Sequence, residues 1–391
     1  MANICKCTKN GRTYYRMRIP KGWETNKDGK VVQKQTEFTG TTRKEVEQKY
    51  KDYIKMEELN LESPKQSFGI MADEWIYNFL IHDDSLKQST IALYIGSWNK
   101  YVKPSDLYPM PLDKITPKVI QKFYYKLKKN DCPISAIKSI NKTMNRFYGS
   151  LVMNRYVPSN FINQLSIPKE SKEEEKKITT WSDGELSSIL KGFEKAQNGF
   201  RLRFLLVMAT YTGLRISELL GLKYDDIKRT PDGYEVSVRR QVQRIVHYYE
   251  DGSKETIIEA DTLKSPSSYR TIPLNPIIIH EYNLHKKWHL EEQMRTGYRT
   301  DFIFTTDSGK LIDKRNAEIS VKRYYKIIGV EPKGFHTYRH TFGTNLYKRG
   351  VPMKTASDLL GHSDISITAK YYIGTDKEEK RKAIELLSNI V

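Results

Sequence analysis

Apolar and polar positions along the chain fall into three blocks of different texture. Residues 12–18, RTYYRMR, alternate with the two-residue period of a strand, and QTEFT at 35–39 repeats it. Between them Asp28-Gly29 predicts a hairpin turn. Thr41 and Thr42 precede a charged amphipathic run over 43–55, a helix with a threonine cap. The periodicity lapses over 60–66, a linker. From 67 to 165 it is helical. One helix starts over 68–79, a second follows Ser89-Thr90 through Tyr101, a third opens at Thr116-Pro117, and a fourth spans 135–156. A charged, aperiodic stretch at 167–177 reads as a second linker. Residues 178–391 are mixed, with helices dominant and strands over 233–274 around a turn at Asp251-Gly252. The expected fold class is therefore multidomain: a small β-sheet plus helix over 1–60, an all-α domain over 67–165, and a mixed α+β, mainly helical domain over 178–391.

Charge adds a partner class. The 391 residues carry 66 Lys and Arg against 47 Asp and Glu, a net charge of +19. Such a surplus favours a polyanion, through release of counterions from phosphates. On the N-terminal strands, Lys9, Arg12, Arg16, Arg18 and Lys21 interleave with aromatic residues. Such a sheet face either reads a DNA groove or is simply solvated. Lys138, Lys142, Arg146 and Arg155 make the fourth helix of the middle block basic, with the same two readings. The three cysteines, Cys5, Cys7 and Cys132, form no disulfide framework, and Cys5-x-Cys7 lacks a second ligand pair for zinc. No stretch approaches the roughly 20 apolar residues of a membrane span, and the N-terminus lacks a signal-peptide core. A cytoplasmic protein without membrane contact is expected.

Candidate chemistry is concentrated in four segments of the last block. In ATYTGLRISELLGL at 209–222, a helix breaks at Thr212-Gly213 and a new one carries Arg215 in its first turn. Backbone N–H groups at a helix start favour an anion, and a guanidinium there suits a two-pronged grip on phosphate. Glu218, one turn on, could brace it. In TLKSPSSYRTIPL at 262–274, Lys264 lies in a hairpin turn before a strand. In FHTYRHTF at 335–342, His336 and Arg339 share one helix face. His336 and His340, four apart, lack the glutamate of a zinc-protease helix. The fourth segment is LLGHSDISITAKYY at 359–372, with His362, Tyr371 and Tyr372.

Together these segments resemble the tyrosine recombinases of the phage-integrase class, whose signatures are the Gly-Leu-Arg-Ile-Ser-Glu-Leu, His-x-x-Arg-His and Leu-Gly-His stretches before a tyrosine. The similarity spans about 205–375. By layout, 67–165 resembles the family's helical, SAM-like core-binding domain, and 1–60 the arm-type DNA-binding domain of phage and conjugative-transposon integrases; 178–391 is then the catalytic domain with a C-terminal tail helix. The resemblance implies a catalytic set of Arg215, Lys264, His336, Arg339, His362 and a tyrosine, supported by Glu218, with Arg12, Arg16, Arg18, Lys138, Lys142 and Arg146 on DNA. The nucleophile is Tyr372 by the family's ten-residue spacing and Tyr371 by its nine-residue spacing; the run after 377 favours Tyr372, although Gly374 stands where members often carry histidine. No metal or other cofactor is implied. Implied partners are double-stranded DNA with core and arm sites, and three more copies in a tetramer that exchanges the C-terminal helix. An excisionase and a DNA-bending host factor are further candidates, in a bacterial cytoplasm at the nucleoid. The implied function is integration and excision of a mobile element through a covalent 3′-phosphotyrosine and a Holliday junction. The alternatives are a recombinase that resolves chromosome dimers, a topoisomerase that relaxes supercoils, and a non-catalytic DNA-binding regulator.

Overall fold

The computed structural model describes residues 4–9, 12–25, 31–58, 66–169, 179–195, 199–263 and 265–369. The chain divides into two units: 1–171 with 249–252, and 172–248 with 253–391. The turn at Asp28-Gly29, most of the second linker, Lys264, Tyr371, Tyr372 and the tail after 376 lie outside the described residues.

The first unit opens with an antiparallel sheet of β1 (Cys5–Lys9), β2 (Arg12–Thr25) and β3 (Val31–Gly40), in that order. Side chains alternate across a strand, so Met17 and its cross-strand neighbour Phe38 face one way and Arg18 and Glu37 the other. α1 (Arg43–Glu58) covers the apolar face: Val46 and Met17 are buried, and Phe38 meets the rings of Tyr50 and Tyr53 edge-on. Its start is fixed as expected, with Thr42 accepting from the Glu45 N–H (3.2 Å) and the Glu45 carboxylate from the Thr41 N–H (2.8 Å).

The helical part of this unit is α2 (Phe68–Asn78), α3 (Gln88–Ser97), α4 (Pro117–Lys129) and α5 (Ile134–Met153). The sequence started α3 from a Ser89-Thr90 cap. The helix instead begins at Gln88 behind Lys87, and a π-helical turn over Trp98–Val102 carries it past Tyr101. Thr116 caps α4 with Pro117 at its first position. Phe68, Trp98, Phe147 and Tyr148 cluster in the core, and Trp98 donates its indole N–H to Asp73 (2.9 Å).

The second unit packs helices around α7 (Gly199–Thr212), whose residues 204–209 are all buried. An all-round apolar helix of this kind belongs in a core. α6 (Asp183–Lys191) precedes it, and α8 (Ile216–Leu220) follows after a break at Gly213. Gly213 holds φ +62°, and a Cβ there would stand 2.5 Å from the Phe342 ring. The strands come next: β4 (Ile227–Thr230), β5 (Gly233–Val238), β6 (Arg240–Tyr248), β7 (Lys254–Thr262) and β8 (Arg270–Leu274). β5 pairs with β8 and β6 with β7, so 233–248 and 254–274 form one long antiparallel ribbon. Val238 pairs with Arg270 and Arg240 with Thr262, so the described residues 263 and 265–269 fall between the two paired stretches. The expected turn at Asp251-Gly252 is the turn of this ribbon (Gly252 φ +78°), whereas the turn expected at Lys264 falls on a residue outside the described ones.

The remaining helices are α9 (Pro276–Thr296), α10 (Lys314–Ile328), α11 (His336–Lys348), α12 (Met353–Leu360) and α13 (Ile365–Ala369). α9 buries His285 against Phe204 and Phe304, and His289 against Tyr224 and Tyr298. Burial, then neighbouring charge, lowers their pKa values from 6.5 to about 3 and about 4. No described helix is long and apolar enough to cross a membrane.

Two outcomes are expected. Gly213→Ala should lose about 1–2 kcal/mol from the left-handed backbone alone, and more from the clash with Phe342. Gly252→Ala, with open space around its position, should lose only the backbone part; equal shifts in urea midpoint would refute the distinction. For His285 and His289, unfolded imidazoles titrate near 6.5 and the folded ones lower, so between pH 6.5 and 4 only the unfolded chain gains protons. Each such proton costs about 1.4 kcal/mol per pH unit. Stability should therefore fall as pH drops from 6.5 towards 4, and His285→Leu should flatten that fall in urea titrations; an undiminished slope would refute the assignment.

Candidate active site

Arg215 owes its position to the break at Gly213. It is the residue just before α8, in extended conformation (φ −67°, ψ 146°), rather than in the first turn. Its backbone N–H does not wait for an anion: it donates to Glu218 Oε2 (3.0 Å), while Arg215 Nη1 donates to Glu218 Oε1 (2.7 Å). The sequence therefore had the right brace and the wrong use for the helix start. Glu218 is buried and receives a second guanidinium, with Arg270 Nη2 at 2.8 Å. Burial alone would raise its pKa; Arg270 and then Arg215 outweigh that and hold it below the ordinary carboxylate value.

α11 is oriented by its core side. Tyr338 is buried, accepts a hydrogen bond from the Tyr325 hydroxyl (2.8 Å) and packs on Trp181, while Thr341 accepts from the Trp181 N–H (2.8 Å). This turns His336, the first residue of α11, into the cleft beside His340, whose ring stands perpendicular at 4.7 Å. Arg339 points inward. It is 1% exposed, and its Nη1 and Nη2 donate to the carbonyls of Gly213 (3.1 Å) and Leu360 (2.5 Å). α12 ends at Gly361 in left-handed conformation (φ +66°), and the chain turns to present His362, with the Thr368 hydroxyl 2.8 Å from Nδ1.

Arg215, Glu218, His336 and His362 line one cleft of about 460 Å³. Arg339 lies behind it, close enough to depress both histidines. His362 is lowered to about 3, by burial first and then by Arg339, Arg215 and Arg270. His336, though exposed at the cleft, is lowered to about 4 by partial loss of hydration, then by His340, Arg339, Arg215 and Lys314. At neutral pH the cleft therefore combines fixed positive charge with uncharged imidazoles, an arrangement suited to an anion and to proton exchange. Among the described residues no group of three or more His, Cys, Asp or Glu could hold a metal ion.

Lys264, Tyr371 and Tyr372 lie outside the described residues, but Leu263 and Ser265, on either side of Lys264, line the cleft, as does Ile367 of α13. The sequence reading missed Lys314, which opens α10 on the cleft wall, and Arg270, which it passed over as a strand residue. An arginine opening an apolar strand, RTIPL, was the available signal for Arg270. The DNA-contact candidates belong to the first unit. Arg18 Nε donates to Glu37 (2.6 Å) and Arg16 lies 4.0 Å from the same carboxylate, so part of their charge is spent within the sheet. The Arg12 side chain is outside the described residues. Lys138, Lys142 and Arg146 recur every four residues on the exposed face of α5, and Arg146 is paired with Asp83 (2.6 Å).

The phage integrase family model matches residues 181–379. A tyrosine recombinase XerC-like protein of Caldanaerobacter subterraneus is 33% identical over the full length of both chains. A probable integrase of prophage ps2 in Lactococcus lactis is 26% identical over 84% of this chain and 85% of its own. Among solved structures, the Tn1549 transposon integrase in complex with a circular intermediate DNA shares the fold with a TM-score of 0.62 at 19% identity, covering 81% of this chain and 99% of that one. A lambda integrase dimer bound to a core site matches with a TM-score of 0.54 at 17% identity, over 95% and 96%. With the family model over half the chain and a relative of this identity along all of it, the chain belongs to the phage integrase family, the tyrosine recombinases, enzymes that cleave and rejoin DNA at specific sites.

Proposed function

We propose that this chain integrates and excises a mobile genetic element, using Arg215, Lys264, His336, Arg339, His362 and Tyr372 as its catalytic set. The observation that carries the catalytic reading is the single cleft on which Arg215, His336 and His362 converge, with the Arg339 guanidinium behind it. The Tyr372 oxygen attacks the scissile phosphorus, the bond to the 5′ oxygen breaks, and a 3′-phosphotyrosine forms. Arg215 and Arg339 offset the charge that grows on the phosphoryl oxygens. A phenol titrates near 10, so its proton leaves only as the bond to phosphorus forms, with an uncharged imidazole as acceptor and the fixed guanidinium charge stabilising the developing phenolate. Lys264 gives a proton to the departing 5′ oxygen. The reverse attack by a 5′ hydroxyl rejoins strands without ATP, because the phosphotyrosine keeps the bond energy.

The integrase role, with 1–60 on arm sites and 67–165 on core sites, is supported by the basic sheet face that precedes the helical part. Relatives named XerD match 77% of this chain but 93% of their own length, which leaves this chain with sequence to spare. The Tn1549 and lambda integrases, solved on DNA, supply the analogy for double-stranded DNA as partner. A tetramer exchanging C-terminal helices, an excisionase, a DNA-bending protein and work at the nucleoid follow from the same reading. The full-length relative named XerC-like favours a second reading, resolution of chromosome dimers.

Two experiments test this. On a nicked duplex carrying the crossover site, the wild type should form an adduct that survives denaturing detergent, Tyr371→Phe should still form it, and Tyr372→Phe and Arg215→Ala should not; loss with Tyr371→Phe alone would move the nucleophile, and no wild-type adduct would refute catalysis. Deleting 1–60 should abolish recombination between long sites with distal arms but spare cleavage of the core site. Full recombination by the truncated chain would favour chromosome-dimer resolution.

A further inference from the structure

We propose that Arg270 is a positioning residue of the active site, holding Arg215 and the turn that carries His362 in register with one another. This rests on the reading of the cleft given above, since Arg215 and His362 matter only if that cleft is where the phosphate is cut. Arg270 opens β8, and its side chain is 6% exposed. Its three nitrogens reach three places. Nη2 donates to Glu218 Oε2 (2.8 Å), Nε to the Leu359 carbonyl in the last turn of α12 (2.8 Å), and Nη1 to the Ser268 carbonyl two residues before it (2.9 Å).

Each contact bears on a different part of the site. Glu218 grips Arg215 through both its backbone N–H and its guanidinium, so a second cation on Oε2, the oxygen that also accepts from the Arg215 N–H, fixes the carboxylate that fixes Arg215. The Leu359 carbonyl is one of the unpaired acceptors at a helix C-terminus, where a cation is favoured. Arg339 takes the neighbouring carbonyl of Leu360, so two buried guanidiniums hold the end of α12, from which Gly361 leads to His362. Gly361 supplies independent support. A Cβ there would stand 3.0 Å from both Cδ and Nη1 of Arg270, so the residue before His362 leaves room for this side chain. A lysine keeps the charge but cannot reach three acceptors in a fixed plane.

The test uses the full chain, with adduct formation on the nicked duplex measured under single-turnover conditions and affinity for the same duplex measured alongside. Arg270→Gln should slow adduct formation about 100-fold, the scale of an ångström-level misplacement, with DNA affinity within about twofold of wild type. Arg270→Lys, which leaves a cation on Glu218, should recover about tenfold of that loss. Arg270→Gln also strands a buried carboxylate, so Arg270→Gln/Glu218→Gln is the control: it should regain thermal stability without regaining rate. A folded Arg270→Gln or double variant that cleaves at the wild-type rate overturns the proposal. So does a rate loss that merely follows the melting temperature, with lysine no better than glutamine. A wild type that forms no adduct overturns the reading of the cleft itself, whereas a normal adduct unaffected at Arg270 overturns only this inference.

Discussion

The buried guanidinium of Arg339 joins the two elements on which the cleft depends. It donates to the Gly213 carbonyl at the break between α7 and α8 and to the Leu360 carbonyl at the end of α12. These residues are 147 positions apart in the chain, and nothing local would bring them together. A charge this deep is tolerable only when its N–H groups are satisfied, and here backbone carbonyls satisfy them. Those carbonyls belong to a glycine turn and a helix end, which have acceptors to spare. The same contacts leave Arg215 on one side of the turn and His362 just beyond the other.

Two carboxylates line the cleft, Glu318 beside Lys314 and the buried Glu218. Glu218 sits between Arg215 and Arg270, stays ionised despite burial, and orients rather than cancels the field of the arginines. Lost hydration first, and then the surrounding positive charge, keeps His336 and His362 uncharged at neutral pH. In the tyrosine recombinase reaction this division is useful. In the proposed reaction the arginines would offset charge on the phosphate, and the uncharged imidazoles would accept a proton as the tyrosine attacks.

The N-terminal sheet obeys a different economy of charge. α1 takes the apolar face, so the opposite face is left with Arg16 and Arg18, and Glu37 stands between them. An exposed ion pair of this kind contributes little to stability. A phosphate that competes with Glu37 for these arginines therefore displaces a weak partner, which is consistent with a DNA-facing role for the proposed arm-binding unit.

Much of the architecture was legible in the sequence because it is written in local periodicity. The alternation over 12–18, the Thr116-Pro117 helix start, the break at Thr212-Gly213 and the pairing of Arg215 with Glu218 all depend on neighbours within a few residues. What the sequence could not fix were interactions between positions far apart in the chain. The alternation over 233–274 read as strands without partners, since nothing local reveals that β5 pairs with β8 and β6 with β7. Arg270 read as an ordinary strand residue, since its three acceptors lie on a helix end, a loop and a separate helix. Arg339 read as facing the same way as His336, since helical spacing gives the face and not the depth; only packing of Tyr338 on Trp181 and Tyr325 turned it inward. The sequence determined the elements and the residue types in the site, because these follow from short-range sterics and hydrogen bonding. Tertiary structure decided which guanidiniums line the cleft and which hold it together, because that depends on which carbonyls and carboxylates folding brings within reach.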